Sequence, residues 1–551
     1  MTLRKTTLLL FVWMAVTAVA ANRSEAEMIR VAQRVLDGTG YHRAAKANDL
    51  RTLHQREMLT VIGHEQEGFV IVANDDEFDA VVGYSQNPFT AIPPAVEWYL
   101  DAANMALKDL KDKGERRAAI PASSEFPSSL EPLVKTHWDQ GNPYNKLCPG
   151  GNGSSSRLYP TGCVATAISQ VMKFHQYPKQ GTGEHQYSFQ PASGDGRIIY
   201  ANFGETTYDW DNMLDEYKGA YTEEQANAVA TLMLHCGVAV DMSYTASGSG
   251  AYGQETCKAL KTYFGYNKNT RLYTRDYYTA ETWMKMIYTE LNQYGPIYYA
   301  GASQGQGGHA FVLDGYDETG LVHINWGWGG KSDGYYDIAL LNPTSYEFSL
   351  QQEMILYMDP DADIPYESQI VATSMTFTRV SNKSITISGK VYNAAAEKFT
   401  GVIGCVAENL ETGSVTELKK TAEITMQPIV NGTYWTQSIS LPSNNVASLP
   451  NGTYRLYVAS RAAEDTKWQL VRSKEGESTH FIVTKSDDDI KWETRTDDLW
   501  SVNLPTAIQS VSVMKDNSPV RYFDLQGREV GKDARGLVIM KQGNVVKKVM
   551  K

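Results

Sequence analysis

The sequence predicts an α+β protein of several domains. A mixed helix–strand region is preceded by a small α+β unit and followed by an all-β sandwich and a short β-rich tail. Three observations carry this. The chain has 551 residues, well beyond one ordinary domain. Hydrophobic residues make up 42% and charged residues 21%, a globular balance that excludes extensive disorder. The spacing of apolar residues also changes along the chain. Helical and strand-like runs mix up to about residue 362, and a two-residue alternation takes over from about 366.

The first twenty residues read as a targeting segment. Arg4 and Lys5 precede an apolar run from Leu8 to Ala20, and Ala18-Val19-Ala20 has the small-x-small form that a signal peptidase accepts. The run is too short to span a bilayer, which takes about 20 residues, and no later segment reaches that length without charge. A buried N-terminal helix is the alternative. Residues 1–20 are therefore expected to be a signal peptide, and the mature protein to be exported.

Residues 21–125 begin with Met28, Val31, Ala32, Val35 and Leu36 at helical spacing. Strand-like runs follow at 58–62, 69–73 and 80–85, and then a second amphipathic helix from about Pro94 to Leu110. A charged stretch to Arg117 and a Pro/Ser-rich linker, Pro121 to Ser129, close the unit, and such exposed segments are where proteases cut. Residues 126–364 mix helix and strand. Residues 365–485 alternate as in Ile385, Ile387, Gly389 and Val391, with turn signals at Asn431-Gly432 and Asn451-Gly452, which predicts an antiparallel, immunoglobulin-like sandwich. Residues 486–551 hold an acidic linker and a small β-rich tail.

Charge and cysteine content narrow the chemistry. Lys+Arg number 51 against 63 Asp+Glu, a net charge of -12, which disfavours nucleic acid as a partner. The five cysteines (Cys148, Cys163, Cys236, Cys257, Cys405) form no CxxC, so neither a zinc site nor a redox motif is indicated. In an exported protein stray thiols are usually paired, and one kept free invites suspicion as a nucleophile.

Cys163 lies in Tyr159-Pro160-Thr161-Gly162-Cys163-Val164-Ala165-Thr166-Ala167-Ile168, where Val164, Ala167, Ile168, Val171 and Met172 fall on one helical face and Pro178 ends the helix. A cysteine in the first turn faces unpaired N–H groups and the positive dipole end, which favour a thiolate. A small buried cysteine on a core helix fits this stretch equally well. The second motif decides between them. Gly307-Gly308-His309-Ala310-Phe311-Val312-Leu313-Asp314-Gly315 sets a histidine between two glycines and an apolar strand, and His323-Ile324-Asn325-Trp326-Gly327-Trp328-Gly329-Gly330 adds an amide and two indoles. A cysteine on a helix N-terminus, then a strand histidine, then an asparagine is a papain-like order.

Taken together these three segments resemble the streptopain family of cysteine peptidases, over about residues 130–360, with further support from 138–145 and 259–266. The resemblance implies a papain-like catalytic domain, a Cys163/His309 dyad and synthesis as an inactive zymogen. By matching motifs, Cys163 is the nucleophile and His309 the general base and acid. Asn325 would orient the histidine, and Trp326 would shield their contact. Gln140 is the expected second oxyanion donor beside the Cys163 backbone N–H, an exposed surface glutamine being the alternative. Trp328 would wall the primed subsites. Ser247, Gly248 and Ser249 match a loop lining the non-primed subsites, although an ordinary surface loop reads the same way, and Gly308 is placed to pair with a peptide backbone. The 302–306 loop is a residue longer than usual for the family.

Residues 21–125 resemble a streptopain-type propeptide, which folds separately, covers the cleft and displaces the histidine; Ser85-Gln86-Asn87-Pro88 is the expected contact, and a permanent accessory domain the alternative. Cleavage is expected between Lys113 and Ser129. In the tail, Asp524-Leu525-Gln526-Gly527-Arg528 and the Gly536-Leu537-Val538-Ile539 strand resemble type IX secretion and sorting domains, although a plain basic hairpin also fits. The expected function is a secreted or surface-attached cysteine endopeptidase that needs no metal or organic cofactor. Its partners would be protein and peptide substrates, its own propeptide, signal peptidase and the outer-membrane secretion machinery. A transglutaminase- or amidase-like enzyme and a non-catalytic host-binding protein are the alternatives.

Overall fold

The computed structural model describes residues 21–38, 49–90, 92–150, 157–190, 196–303, 307–341, 351–364, 366–430, 432–474 and 480–495, with four short strands between 521 and 550. The proposed signal peptide, most of the 302–306 loop and the Asp524–Arg528 motif lie outside the described residues.

Helix α1 (Glu25–Gly38) buries Met28, Ala32 and Leu36, one apolar stripe at four-residue spacing. It covers strands β1 (Arg51–Gln55), β2 (Leu59–Gly63), β3 (Phe69–Ala73) and β4 (Val81–Ser85), an antiparallel meander. Helix α2 (Pro94–Lys113) starts with proline in its first turn and stops at Gly114, whose left-handed conformation caps the last carbonyls.

The mixed region supplies α3 (Cys163–His175), β5 (Glu184–Phe189), β6 (Arg197–Asn202), α4 (Glu223–Ala239), α5 (Gly253–Tyr263), β7 (Arg271–Thr274) and α6 (Ala280–Gln293). Then come β8 (Ile297–Ser303), β9 (Gly307–Tyr316), β10 (Val322–Asn325), β11 (Gly334–Tyr336) and β12 (Glu353–Leu356). Every residue of α3 from Val164 to Met172 is buried, because the helix is enclosed on all sides and not only on its predicted apolar face. Its main neighbours are α4 and the central strand β9.

The sheet order is β1-β2-β3-β4-β11-β10-β9-β8-β12-β7, so ten strands form one sheet across the expected propeptide boundary. The join is β4 against β11, with Tyr84 opposite Tyr335 and Gly83 opposite Tyr336. This differs from the expectation of a separately folded cover. The first unit has its own small core under α1, but its last strand extends the peptidase sheet and α2 turns its aromatic side chains onto that sheet.

Strands Ile370–Arg379, Ile385–Asn393 and Gln437–Ser443 form one sheet of the predicted sandwich, and a seven-stranded sheet centred on Phe399–Asn409 and Gly452–Ala462 forms the other. The sandwich is held to the mixed region by the Arg271–Glu367 pair at 3.2 Å and by Tyr277 and Tyr392, whose hydroxyls meet at 2.8 Å. Cys405 is buried in the sandwich core. The tail, a separate unit, is a four-stranded antiparallel sheet of Arg521–Phe523, Glu529–Val530, Leu537–Gln542 and Val545–Met550. Among the described residues no helix is long and apolar enough to cross a membrane.

Candidate active site

Gly162, at φ +91°, caps the start of α3 and leaves Cys163 partly exposed at the end of a helix buried from Val164 to Met172. A Cβ on Gly162 would lie 2.7 Å from the Ser249 carbonyl oxygen, so only glycine admits the neighbouring loop this closely. Ser249 also donates its hydroxyl to the Pro160 carbonyl at 2.8 Å. The loop of Ser247, Gly248 and Ser249 is thereby fixed beside the cysteine, with Ser247 and Gly248 exposed and Ser249 buried.

His309 stands on β9, half-buried, opposite Gly301 of β8. Gly308 is exposed and pairs with Ala302, whereas β10 runs along the other edge of β9 only between Val312 and Tyr316. Among the described residues the other edge of Gly308 is therefore clear of strand pairing, as an incoming peptide backbone requires. Burial pushes the Cys163 thiol above its ordinary range, against the opposing pull of the backbone N–H groups of Ala310 and Val164. Burial likewise pushes the His309 imidazole below its ordinary range. The thiol thus lies against the residue that follows His309, yet thiol and imidazole are not hydrogen-bonded to one another. Desolvation therefore opposes charge on both groups in this arrangement.

Gln140 is buried, and its side-chain Nε2 has no hydrogen-bond partner. Its carbonyl accepts from the Thr161 N–H at 3.1 Å, which ties it to the segment leading into Cys163. The surface-glutamine alternative is excluded. A buried amide donor left unpaired is costly, and such groups cluster where a ligand supplies the missing acceptor. Trp328 neighbours this segment, since Gly329 donates to the Trp138 carbonyl at 2.9 Å, and its indole Nε1 is likewise buried without a partner.

Asn325 is placed differently from the expectation that it orients His309. Its Nδ2 donates to the Thr136 carbonyl at 2.7 Å, and its Oδ1 accepts from Gln170 Nε2 at 3.0 Å and from the Gly327 N–H at 3.1 Å. Its amide is occupied away from the imidazole. Gln170, a residue the motif reading passed over, also accepts from the Thr136 hydroxyl at 2.8 Å, so it joins α3, the 136–140 segment and the Asn325 turn. Trp326 is fully buried, packs on Phe311 at 4.8 Å between ring centroids, and donates its indole N–H to the Ser332 carbonyl at 3.1 Å. It braces β9 two residues beyond His309.

The first unit grips the same turn. Ser85 donates its hydroxyl to the Asp333 carbonyl at 2.6 Å, and Asn87 Nδ2 donates to the same oxygen at 3.1 Å. Asp333 in turn accepts the Trp326 N–H on its carboxylate at 2.9 Å. Tyr99 of α2 packs edge-on against Trp326 and Tyr336. Ser85 and Asn87 thus hold the turn that follows Asn325, and their bonds do not go to His309.

Comparison with known proteins agrees with this geometry. Residues 138–336 match the peptidase C10 family. Streptopain of Streptococcus pyogenes serotype M1 is 34% identical over 301 residues, covering 50% of this chain and 73% of streptopain. The thiol protease/hemagglutinin PrtT of Porphyromonas gingivalis is 33% identical over 358 residues, 60% of this chain and 40% of PrtT. A solved fragment of Prevotella intermedia prointerpain A superposes with a TM-score of 0.52 at 41% identity, covering 56% of this chain and 97% of the fragment. The α+β, papain-like fold, the thiol chemistry and the presence of a pro-segment follow together, and the chain belongs to the peptidase C10 family of streptopain-like cysteine peptidases made as prozymogens.

Proposed function

We propose that Cys163 and His309 are the reacting pair of this peptidase, and that residues 21–125 hold them latent until they are removed. The observation that carries the reading is the unpartnered Gln140 amide beside the start of α3, a donor awaiting an acceptor next to the candidate nucleophile.

In the mature enzyme the Cys163 thiolate attacks the scissile carbonyl carbon, and the carbonyl oxygen gains the negative charge. The Cys163 backbone N–H and Gln140 Nε2 donate to that oxygen. His309, protonated as the thiolate forms, gives its proton to the departing amine as the C–N bond breaks and an acyl-thioester remains. Water then attacks the thioester, His309 takes its proton, and the acid leaves as the thiol is restored. Trp326 holds the β9 strand, and Asn325 anchors the turn through Gln170 and Thr136. Ser247, Gly248 and Ser249 line the non-primed side, Gly308 pairs with substrate backbone, and Trp328 walls the primed side.

Latency rests on the sheet join at β4 and β11 and on Ser85 and Asn87 holding Asp333. The raised thiol and lowered imidazole of the precursor belong to this resting state. The 120–127 linker is surface-exposed for much of its length, with Ile120 and Pro127 carbonyls accepting from the Tyr288 and Tyr316 hydroxyls. Cleavage between Lys113 and Ser129 severs the chain there. Residues 1–20 direct export, residues 365–485 form an accessory sandwich, and the β-rich tail serves a type IX-like sorting step that leaves the enzyme secreted or surface-attached. A thiol-directed peptidyl epoxide should add once, at Cys163, and abolish cleavage of casein. Full cleavage after labelling, or labelling at another cysteine, would overturn the assignment.

A further inference from the structure

The sandwich contributes one element to the neighbourhood of the cleft. Val430 and Thr433 bond to each other in both directions, N–H to carbonyl, at 3.0 and 2.9 Å, closing a tight hairpin. At its tip Gly432, at φ +71°, approaches Tyr252 so closely that a Cβ would sit 3.2 Å from the ring. Tyr434 stacks on Tyr392 at 4.4 Å between centroids, and Tyr392 is bonded through its hydroxyl to Tyr277 of the peptidase region. The hairpin is thereby pinned to the peptidase region at two points.

The faces left outward are apolar. Tyr252 is 54% exposed, Trp435 53%, Tyr434 48% and Val430 39%. Single exposed apolar residues are ordinary, whereas exposed aromatic residues on two domains that meet at the Gly432–Tyr252 contact point to a binding surface. Rigid, exposed Tyr and Trp are also the side chains that anchor polypeptide partners at little entropic cost.

The position of the cluster identifies its occupant. Tyr252 lies three residues after Ser249, the residue that touches Gly162 at the start of α3. Three residues span about 10 Å at most. A substrate strand leaving Cys163 on this side, at about 3.3 Å per residue, reaches the cluster after three or four residues. The patch therefore lies within reach of a substrate bound along the loop assigned to the non-primed side.

We propose that Tyr252, Val430, Tyr434 and Trp435 form an extended subsite for apolar or aromatic side chains of a polypeptide substrate, about three to six residues N-terminal to the bond cleaved. This rests on the cleft assignment above and gives the sandwich a part in substrate selection.

Three fluorogenic peptides with identical residues around the scissile bond test it. One is short, one is extended on the N-terminal side with phenylalanine and tryptophan, and one carries the same extension on the C-terminal side. Matured wild type is compared with Trp435→Ala and with Tyr252→Ala/Trp435→Ala. Trp435 makes no ring contact or hydrogen bond among the described residues, and matched melting curves verify that the variants are folded. The N-extended peptide should lose about fivefold to thirtyfold in kcat/KM, chiefly through KM, with the short peptide unchanged. Equal losses on all peptides, no loss on any, or a loss confined to the C-extended peptide would each overturn the subsite alone. A wild type that cleaves none of the three would instead overturn the peptidase cleft, and the subsite with it.

Discussion

Gln170 donates its side-chain amide to Asn325 at 3.0 Å, so the asparagine of the Trp-Gly turn is held by the helix of Cys163 and not by His309. The bond links the helix that carries the nucleophile to the strand end that follows the histidine strand. Both side chains are buried, and Thr136 closes the triangle through its hydroxyl to Gln170 and its carbonyl to Asn325. A buried polar triangle of this kind fixes geometry only while all its members are satisfied.

Gln170→Leu should therefore strand the Thr136 hydroxyl and the Trp138 N–H, and leave the Asn325 side-chain oxygen with the Gly327 N–H as its remaining donor. The expected destabilisation is about 3 kcal/mol, read as a shift in the urea midpoint of the full chain. An unchanged midpoint would mean that the triangle carries no structural role.

Gln140→Ala removes a donor that makes no hydrogen bond in the resting structure. Folding stability should change by about 1 kcal/mol or less, because no bond is lost. Cleavage should fall about a hundredfold in kcat, since the donor matters only once charge develops on the substrate oxygen. Steady-state kinetics on the matured variant, beside its melting curve, gives both numbers. A large loss of stability with kcat intact would remove Gln140 from the oxyanion site.

Much of the backbone setting of the candidate site was legible because its signals are local. The Gly162-Cys163 step and the apolar spacing behind it marked a helix start, and the paired glycines before His309 marked an open strand end. The role of Gln170 was not legible. It sits one turn from Thr166 on a helix read as one-sided, and its partners Thr136 and Asn325 come from distant parts of the chain. The sheet join escaped for a similar reason. Tyr84 faces Tyr335 across backbone pairing about 250 residues apart, and such pairing leaves no periodic trace in either strand. The sandwich was read correctly from its alternation, but the contact of Gly432 with Tyr252 was not, since a turn signal does not say what the turn touches.

Ser85→Ala combined with Asn87→Ala removes both donors to the Asp333 carbonyl. Each hydrogen bond is worth about 1 kcal/mol, so the double variant should mature about tenfold faster or more. Loss of the full-length band with time, at matched concentration, reports this. An unchanged rate would show that the sheet join alone sustains latency.

The central claim is that removal of residues 21–125 turns a neutral thiol and imidazole into a reactive pair. The rate of Cys163 alkylation against pH, located by peptide mapping, tests it most directly in the precursor, the matured enzyme and a His309→Ala chain matured in trans by wild type. In the precursor the thiol is held above its ordinary range, so thiolate, and with it alkylation, should appear only as pH rises through that raised value. In the matured enzyme alkylation should already proceed below the ordinary thiol range, and His309→Ala should abolish this acid-side limb. Identical profiles for precursor and matured enzyme, or an unchanged profile for His309→Ala, would contradict the account.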